Sequence, residues 1–66
     1  MDESDLVDRI KRGQGELLRF NRSAILNTFG ITLILEELQK KVDGFCTKHT
    51  VRWRYDQKTQ EFRFSA

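Results

Sequence analysis

The stretch that decides the fold is VRWRYDQKTQEFRF, residues 51–64. Apolar residues alternate with polar ones in both of its halves, and this period of two is typical of half-buried strands. The apolar positions are Val51, Trp53, Tyr55, Phe62 and Phe64. A polar run, residues 56–61, lies between the halves and begins with Asp56, whose carboxylate can accept hydrogen bonds from the loop backbone. The stretch therefore predicts an antiparallel β-hairpin.

The same residues carry a local resemblance, in the pattern Trp53-x-Tyr55-Asp56-x-x-Thr59-x-x-Phe62-x-Phe64. This pattern resembles the second hairpin of the immunoglobulin-binding domain of streptococcal protein G. It covers about a fifth of the chain, and the first hairpin of that family has no counterpart upstream, so no function is carried over. The resemblance implies that Trp53 lies opposite Phe64 and Tyr55 opposite Phe62. The alternation predicts the same register, because it places all four aromatic side chains on one face.

Length and composition predict one small domain, residues 1–66, that depends on aromatic packing. A chain of this size buries only about 60% of its unfolded surface, so its stability is marginal. The single cysteine, Cys46, excludes an internal disulfide and favours a reducing, cytoplasmic location. One cysteine and one histidine, His49, cannot form an ordinary structural zinc site, so we expect neither a metal nor another cofactor.

The charge is uneven along the chain. The net charge is +2 overall, −1 over residues 1–47 and +3 over residues 48–66, so the basic character belongs to the hairpin. The acidic N-terminal residues do not fit a signal peptide. The most apolar stretch, Ala24–Leu35, is too short and too interrupted to span a bilayer, and we expect no contact with membranes.

Before the hairpin, the apolar spacing predicts two helices. The first runs from about Ser4 to Phe20, capped by Asp2 or Ser4, although Gly13 and Gly15 leave open a break at that point. The second begins at Ser23 or Thr32, is continuous or kinked at Gly30, and ends at Asp43 before Gly44.

Two features around the second helix affect its boundaries. Residues 24–35 remain open between helix and strand, because isoleucine and threonine favour strands while the apolar spacing favours a helix. The alternation of apolar and polar residues after Gly44 predicts that the first strand begins near Cys46. Residues Cys46–Thr50 would then have no pairing partner in the hairpin, and this edge could pair with another strand. The predicted fold is α+β: two N-terminal helices followed by a C-terminal antiparallel β-hairpin packed on the second helix.

No arrangement of residues predicts catalysis. Cys46 and His49 are three residues apart, which on a strand places them on opposite faces. The Gly13-x-Gly15 pair follows a helical pattern and lacks the lysine of a phosphate loop. We therefore expect a non-enzymatic protein.

The basic residues of the hairpin are the candidate contact site. Arg52, Arg54 and Arg63 alternate with the aromatic residues and should share the outward face, with Lys58 at the hairpin tip. Such a face can contact phosphates, or it can be an ordinary solvated sheet surface. Because a two-stranded ribbon cannot bury four aromatic side chains alone, we expect a small regulatory module that binds a protein partner or forms a homodimer. The alternative is a nucleic-acid-binding protein.

Overall fold

A computed structural model describes all 66 residues. The elements are α1 (Glu3–Arg12), β1 (Leu18–Asn21), α2 (Arg22–Phe29), α3 (Leu35–His49), β2 (Arg52–Asp56) and β3 (Glu61–Ser65). The strands form one antiparallel sheet in the order β1–β3–β2. The predicted α+β class is confirmed. The arrangement is richer than predicted, because there are three helices instead of two and a third strand joins the hairpin.

The hairpin has the predicted position and register. Trp53 lies opposite Phe64 and Tyr55 opposite Phe62. Asp56 stabilises the connecting turn, since its Oδ1 accepts a hydrogen bond from the Lys58 backbone N–H at 2.9 Å. Period-two alternation and turn chemistry are both local signals, and here they agree.

The first helix is shorter than predicted. Asp2 caps α1 by accepting a hydrogen bond from the Asp5 N–H at 2.8 Å, but the helix ends at Arg12. A turn follows in which Gly15 has a φ of +92°, a conformation that favours glycine. The prediction of a helix reaching Phe20 is therefore wrong. Residues 18–21 form β1, whose pairing with β3 outweighs the weak helical pattern beyond the turn.

The second predicted helix is two helices. Residues 30–34 separate α2 from α3, and Gly30 at their start has a φ of +154°. Asn21 caps α2 by accepting from the Ala24 N–H at 2.8 Å, so Ser23 is not the cap. Within the uncertain stretch 24–35, the first residues are helical and none is in a strand.

The predicted end of the helix at Asp43 is also wrong, because α3 continues through Gly44 to His49. Phe45 and Cys46 are buried beside Leu38 and Val42 on one helix face. The free energy gained by burying these side chains exceeds the cost of about 1 kcal/mol for a glycine inside a helix. A first strand beginning near Cys46 is therefore excluded. The unpaired strand edge predicted for Cys46–Thr50 does not exist.

The core lies between the helices and one face of the sheet. Helix α3 packs on β2, where the Trp53 indole N–H donates to Asp43 Oδ1 at 3.0 Å, as expected for a hairpin packed on that helix. The buried residues are Leu6, Ile10, Ile25, Leu38, Val42, Phe45, Cys46, Val51, Phe62 and Phe64. The opposite face of the sheet bears no helix. No helix combines the length and the apolar character that crossing a bilayer requires.

Candidate nucleic-acid interface

The uncovered face of the sheet is rich in arginine. Side chains alternate between the two faces of each strand, so the residues next to the buried aromatic positions along each strand point outward. The outward positions are Arg19, Asn21, Arg52, Arg54, Asp56, Glu61, Arg63 and Ser65. We call this surface the arginine face, after Arg19, Arg52, Arg54 and Arg63. None of the outward positions is aromatic.

The strand register aligns three of these arginines in one row across the sheet. Arg19 of β1 is the direct partner of Arg63 on β3, and Arg63 is the direct partner of Arg54 on β2. Directly opposed residues have Cβ atoms about 4.5–5.5 Å apart, and like charges at that separation destabilise a sheet. The row therefore has no benefit for folding by itself.

The central arginine is partly neutralised from one side. The adjacent row is Asn21–Glu61–Asp56, and Arg63 Nη2 lies 2.9 Å from Asp56 Oδ2 and 3.9 Å from Glu61 Oε1. The side chain of Arg63 is 24% exposed, and its Nε is buried without a hydrogen-bond partner. The guanidinium of Arg63 is therefore paired with carboxylates of the protein.

The flanking arginines are different. Arg19, Arg52 and Arg54 are exposed, and none of them forms an ion pair with a carboxylate. A guanidinium presents five N–H donors that match phosphate oxygens, and it stays charged at every physiological pH. These three residues therefore leave positive charge free for an external anion.

Asp56 has two hydrogen-bonding roles at the hairpin end of the face. Its Oδ1 accepts from the Lys58 N–H, while its Oδ2 holds Arg63. The hydrogen bond from Lys58, followed by those from Thr59 and the charge of Arg63, holds the pKa of this carboxyl below its ordinary value. Asp56 is therefore ionised throughout the physiological range.

Two open grooves run along the face, and Arg54 and Arg63 line both of them. The first, which we call the Ser65 groove, has a volume of about 340 Å³ and no acidic residue; it is lined by Leu17, Arg52, Trp53, Arg54, Arg63 and Ser65. The second, the Lys58 groove, has a volume of about 450 Å³ and contains an acid; it is lined by Arg54, Tyr55, Asp56, Gln57, Lys58 and Arg63. The acid is what distinguishes the two grooves electrostatically.

The structure brings the predicted contact residues together in part. Arg52, Arg54 and Arg63 share the outward face as expected. Lys58 lies in the turn, where it shares a groove with Arg54 and Arg63 but not with Arg52, which is at the other end of β2. Arg19 is an addition that sequence reasoning missed, because its strand was assigned to a helix. The alternation Leu18-Arg19-Phe20-Asn21 was the signal that could have found it.

Cys46 and His49 are not arranged as expected. They lie on α3, not on a strand, so the argument that they point to opposite faces of a strand does not apply. Burial, with a smaller effect of the Asp43 charge, raises the pKa of Cys46 to about 12. His49 packs on Phe45 with ring centroids 4.8 Å apart. No group of three or more His, Cys, Asp and Glu side chains could hold a metal ion.

Comparison with known proteins adds no assignment. The chain matches no protein-family model, no curated protein and no solved structure. The geometry and charge of its own residues are therefore the basis for a function.

Proposed function

We propose that the protein is a non-catalytic nucleic-acid-binding protein that holds the phosphate backbone of a duplex on the arginine face. The observation that carries this proposal is the row Arg19–Arg63–Arg54. Adjacent like charges raise the free energy of the folded protein, and a bound polyanion reverses that effect. The single buried cysteine supports a cytoplasmic, reducing location for this activity.

The shape of the face favours a duplex over a single strand. Proteins that hold single strands stack bases on exposed aromatic side chains. Here every outward position of the sheet is polar or charged, and Phe62 and Phe64 are fully buried on the other side. Trp53 and Tyr55 each line one groove but are half-buried. A face of this kind offers contacts to phosphates but no exposed aromatic side chain on which bases could stack.

The order of elements supports the same class of ligand. A short segment, residues 30–34, joins α2 to α3, and a β-hairpin follows, which is the element order of a winged helix-turn-helix. However, the exposed charges of α3 cancel, because it carries three acids and three lysines: Glu36, Glu37, Asp43, Lys40, Lys41 and Lys48. We therefore assign the attraction for phosphate to the arginine face.

The test is binding of a fluorescein-labelled DNA duplex, followed by fluorescence anisotropy over a salt series from about 50 to 200 mM. Three to four phosphate contacts predict a slope of log Kobs against log salt of roughly −3. The double variant Arg52→Gln with Arg54→Gln should weaken binding and make the slope shallower by about 1.8. The matched control is Arg9→Gln with Lys11→Gln on α1, which removes the same charge elsewhere. Binding that is independent of salt, or equal loss in both double variants, rejects the proposal.

A second proposal, contact with a protein partner or self-association, is favoured by a different observation. The helices cover Phe62 and Phe64, so the aromatic face does not need a partner. Ile31 and Ile34, however, are 76% and 61% exposed in the segment between α2 and α3. Sedimentation should then give a mass near twice the 7.8 kDa of the chain, and Ile31→Ser with Ile34→Ser should restore the monomer. A monomer at all concentrations of the unaltered protein rejects self-association.

A further inference from the structure

We propose that phosphate occupies the Ser65 groove of the arginine face and that Asp56 keeps phosphate out of the Lys58 groove. The inference rests on the proposed function and assigns the contacts within it. It makes Arg52 and Arg54 the residues that bind phosphate. It makes Asp56 a positioning residue, which acts through Arg63.

The Ser65 groove has the chemistry that a phosphodiester requires. Arg52 and Arg54 are among its lining residues, and no carboxylate of the protein pairs with either guanidinium group. Ser65 is the direct partner of Arg52 across the sheet, so a hydroxyl lies beside the same space. Two guanidinium groups and a hydroxyl can donate hydrogen bonds to phosphate oxygens. The groove has no acidic residue that would repel the phosphate.

Three basic residues line the Lys58 groove, as in the Ser65 groove, but the Lys58 groove also has an acidic residue. Asp56 is one of its lining residues, and Asp56 Oδ2 already accepts a hydrogen bond from Arg63 Nη2 at 2.9 Å. Glu61, in the same cross-strand row as Asp56, is 3.9 Å from that guanidinium. A phosphate entering this groove would meet an anion and compete with it for Arg63. Like-charge repulsion therefore directs phosphate to the other groove.

Asp56 is held where it can have this effect. Its hydrogen bond from the Lys58 N–H fixes the carboxylate at the base of the turn. Asparagine has one side-chain oxygen, which can accept the hydrogen bond from the Lys58 N–H, so Asp56→Asn keeps this bond of the turn. The replacement removes the charge and, with it, the ion pair to Arg63. This replacement separates the electrostatic role of Asp56 from its structural role.

The experiment measures anisotropy of the labelled DNA duplex for four single variants of the full chain. Arg52→Gln should weaken binding and make the salt slope shallower by about 0.9, the loss of one phosphate contact. Lys58→Gln should leave both the affinity and the slope unchanged. Asp56→Asn should tighten binding by up to about fivefold and steepen the slope by about 0.9. Glu3→Gln, which removes one acid from α1, is the matched control and should have no comparable effect.

A double variant completes the test. Once Asp56→Asn has opened the Lys58 groove, adding Lys58→Gln should cancel the gain, although Lys58→Gln has no effect alone. The inference is overturned if Lys58→Gln weakens the unaltered protein as much as Arg52→Gln, or if Asp56→Asn leaves the slope unchanged. Thermal unfolding of each variant confirms that it is folded. Absence of binding by the unaltered protein rejects the proposed function as well, so the two failures are distinguishable.

Discussion

Replacing one flanking arginine of the cross-strand row should raise stability while lowering affinity for nucleic acid. In Arg54→Gln, the repulsion between Arg54 and its partner Arg63 disappears. Cross-strand charge pairs change stability by roughly 0.2–1 kcal/mol, and we expect the lower half of that range because Asp56 already neutralises part of the charge on Arg63. For a domain of this size, each kcal/mol corresponds to a change in melting temperature of about 4–8 °C. The free protein should therefore melt roughly 1–5 °C higher.

The assay pairs thermal unfolding with duplex binding on the same samples. Arg54→Gln should melt higher than the unaltered protein yet bind the duplex more weakly, with a salt slope shallower by about 0.9. Arg9→Gln on α1 is the charge-matched control, because Arg9 is exposed and has no ion pair; neither quantity should change appreciably. A lower melting temperature for Arg54→Gln would show that the row supports the fold, and the reason for assigning it a polyanion would then be lost.

Three further predictions concern Gly44 in α3, Gly30 in the segment before α3, and the buried Cys46. Gly44→Ala should stabilise the protein by about 1 kcal/mol, because a Cβ at Gly44 meets nothing within 4 Å; Gly30→Ala should lower the melting temperature, since the φ of Gly30 is +154° and its Cβ would lie 3.2 Å from Leu33 Cγ. If Gly44→Ala melts lower, the continuous helix through this residue is wrong. The buried Cys46, whose pKa is raised to about 12, should resist a thiol reagent in native buffer at pH 8 and react only along the denaturant unfolding curve. Immediate stoichiometric labelling would contradict its burial.

The parts of the fold that the sequence predicts are those with local signals. The hairpin is one such part, because alternation and turn residues lie within fourteen consecutive positions, 51–64. Its register follows from the need to place Trp53, Tyr55, Phe62 and Phe64 on one face. The cap of α1 at Asp2 is another. In each case neighbouring residues contain all the necessary information.

The parts that sequence reasoning missed depend on distant contacts. Strand β1 has only four residues and exists because it pairs with β3 at the other end of the chain. Because these residues were predicted to be helical, Arg19 was not included in the candidate site and the row of arginines was not predicted. The end of α3 was predicted wrongly at Gly44 for a related reason. The preference of glycine for a helix end is a local signal, whereas the burial of Phe45 and Cys46, which extends α3, depends on tertiary packing.

The most direct test of the central claim is an NMR titration of the ¹⁵N-labelled protein with a short DNA duplex, following the Nε–Hε resonances of the arginines. If phosphate binds the arginine face, the signals of Arg19, Arg52 and Arg54 should shift progressively, while those of Arg9 and Arg12 on α1 remain in place. Addition of salt should reverse the shifts, since the contacts are electrostatic. Shifts confined to α1, or an unchanged spectrum at saturating duplex, would contradict the assignment of this face to phosphate.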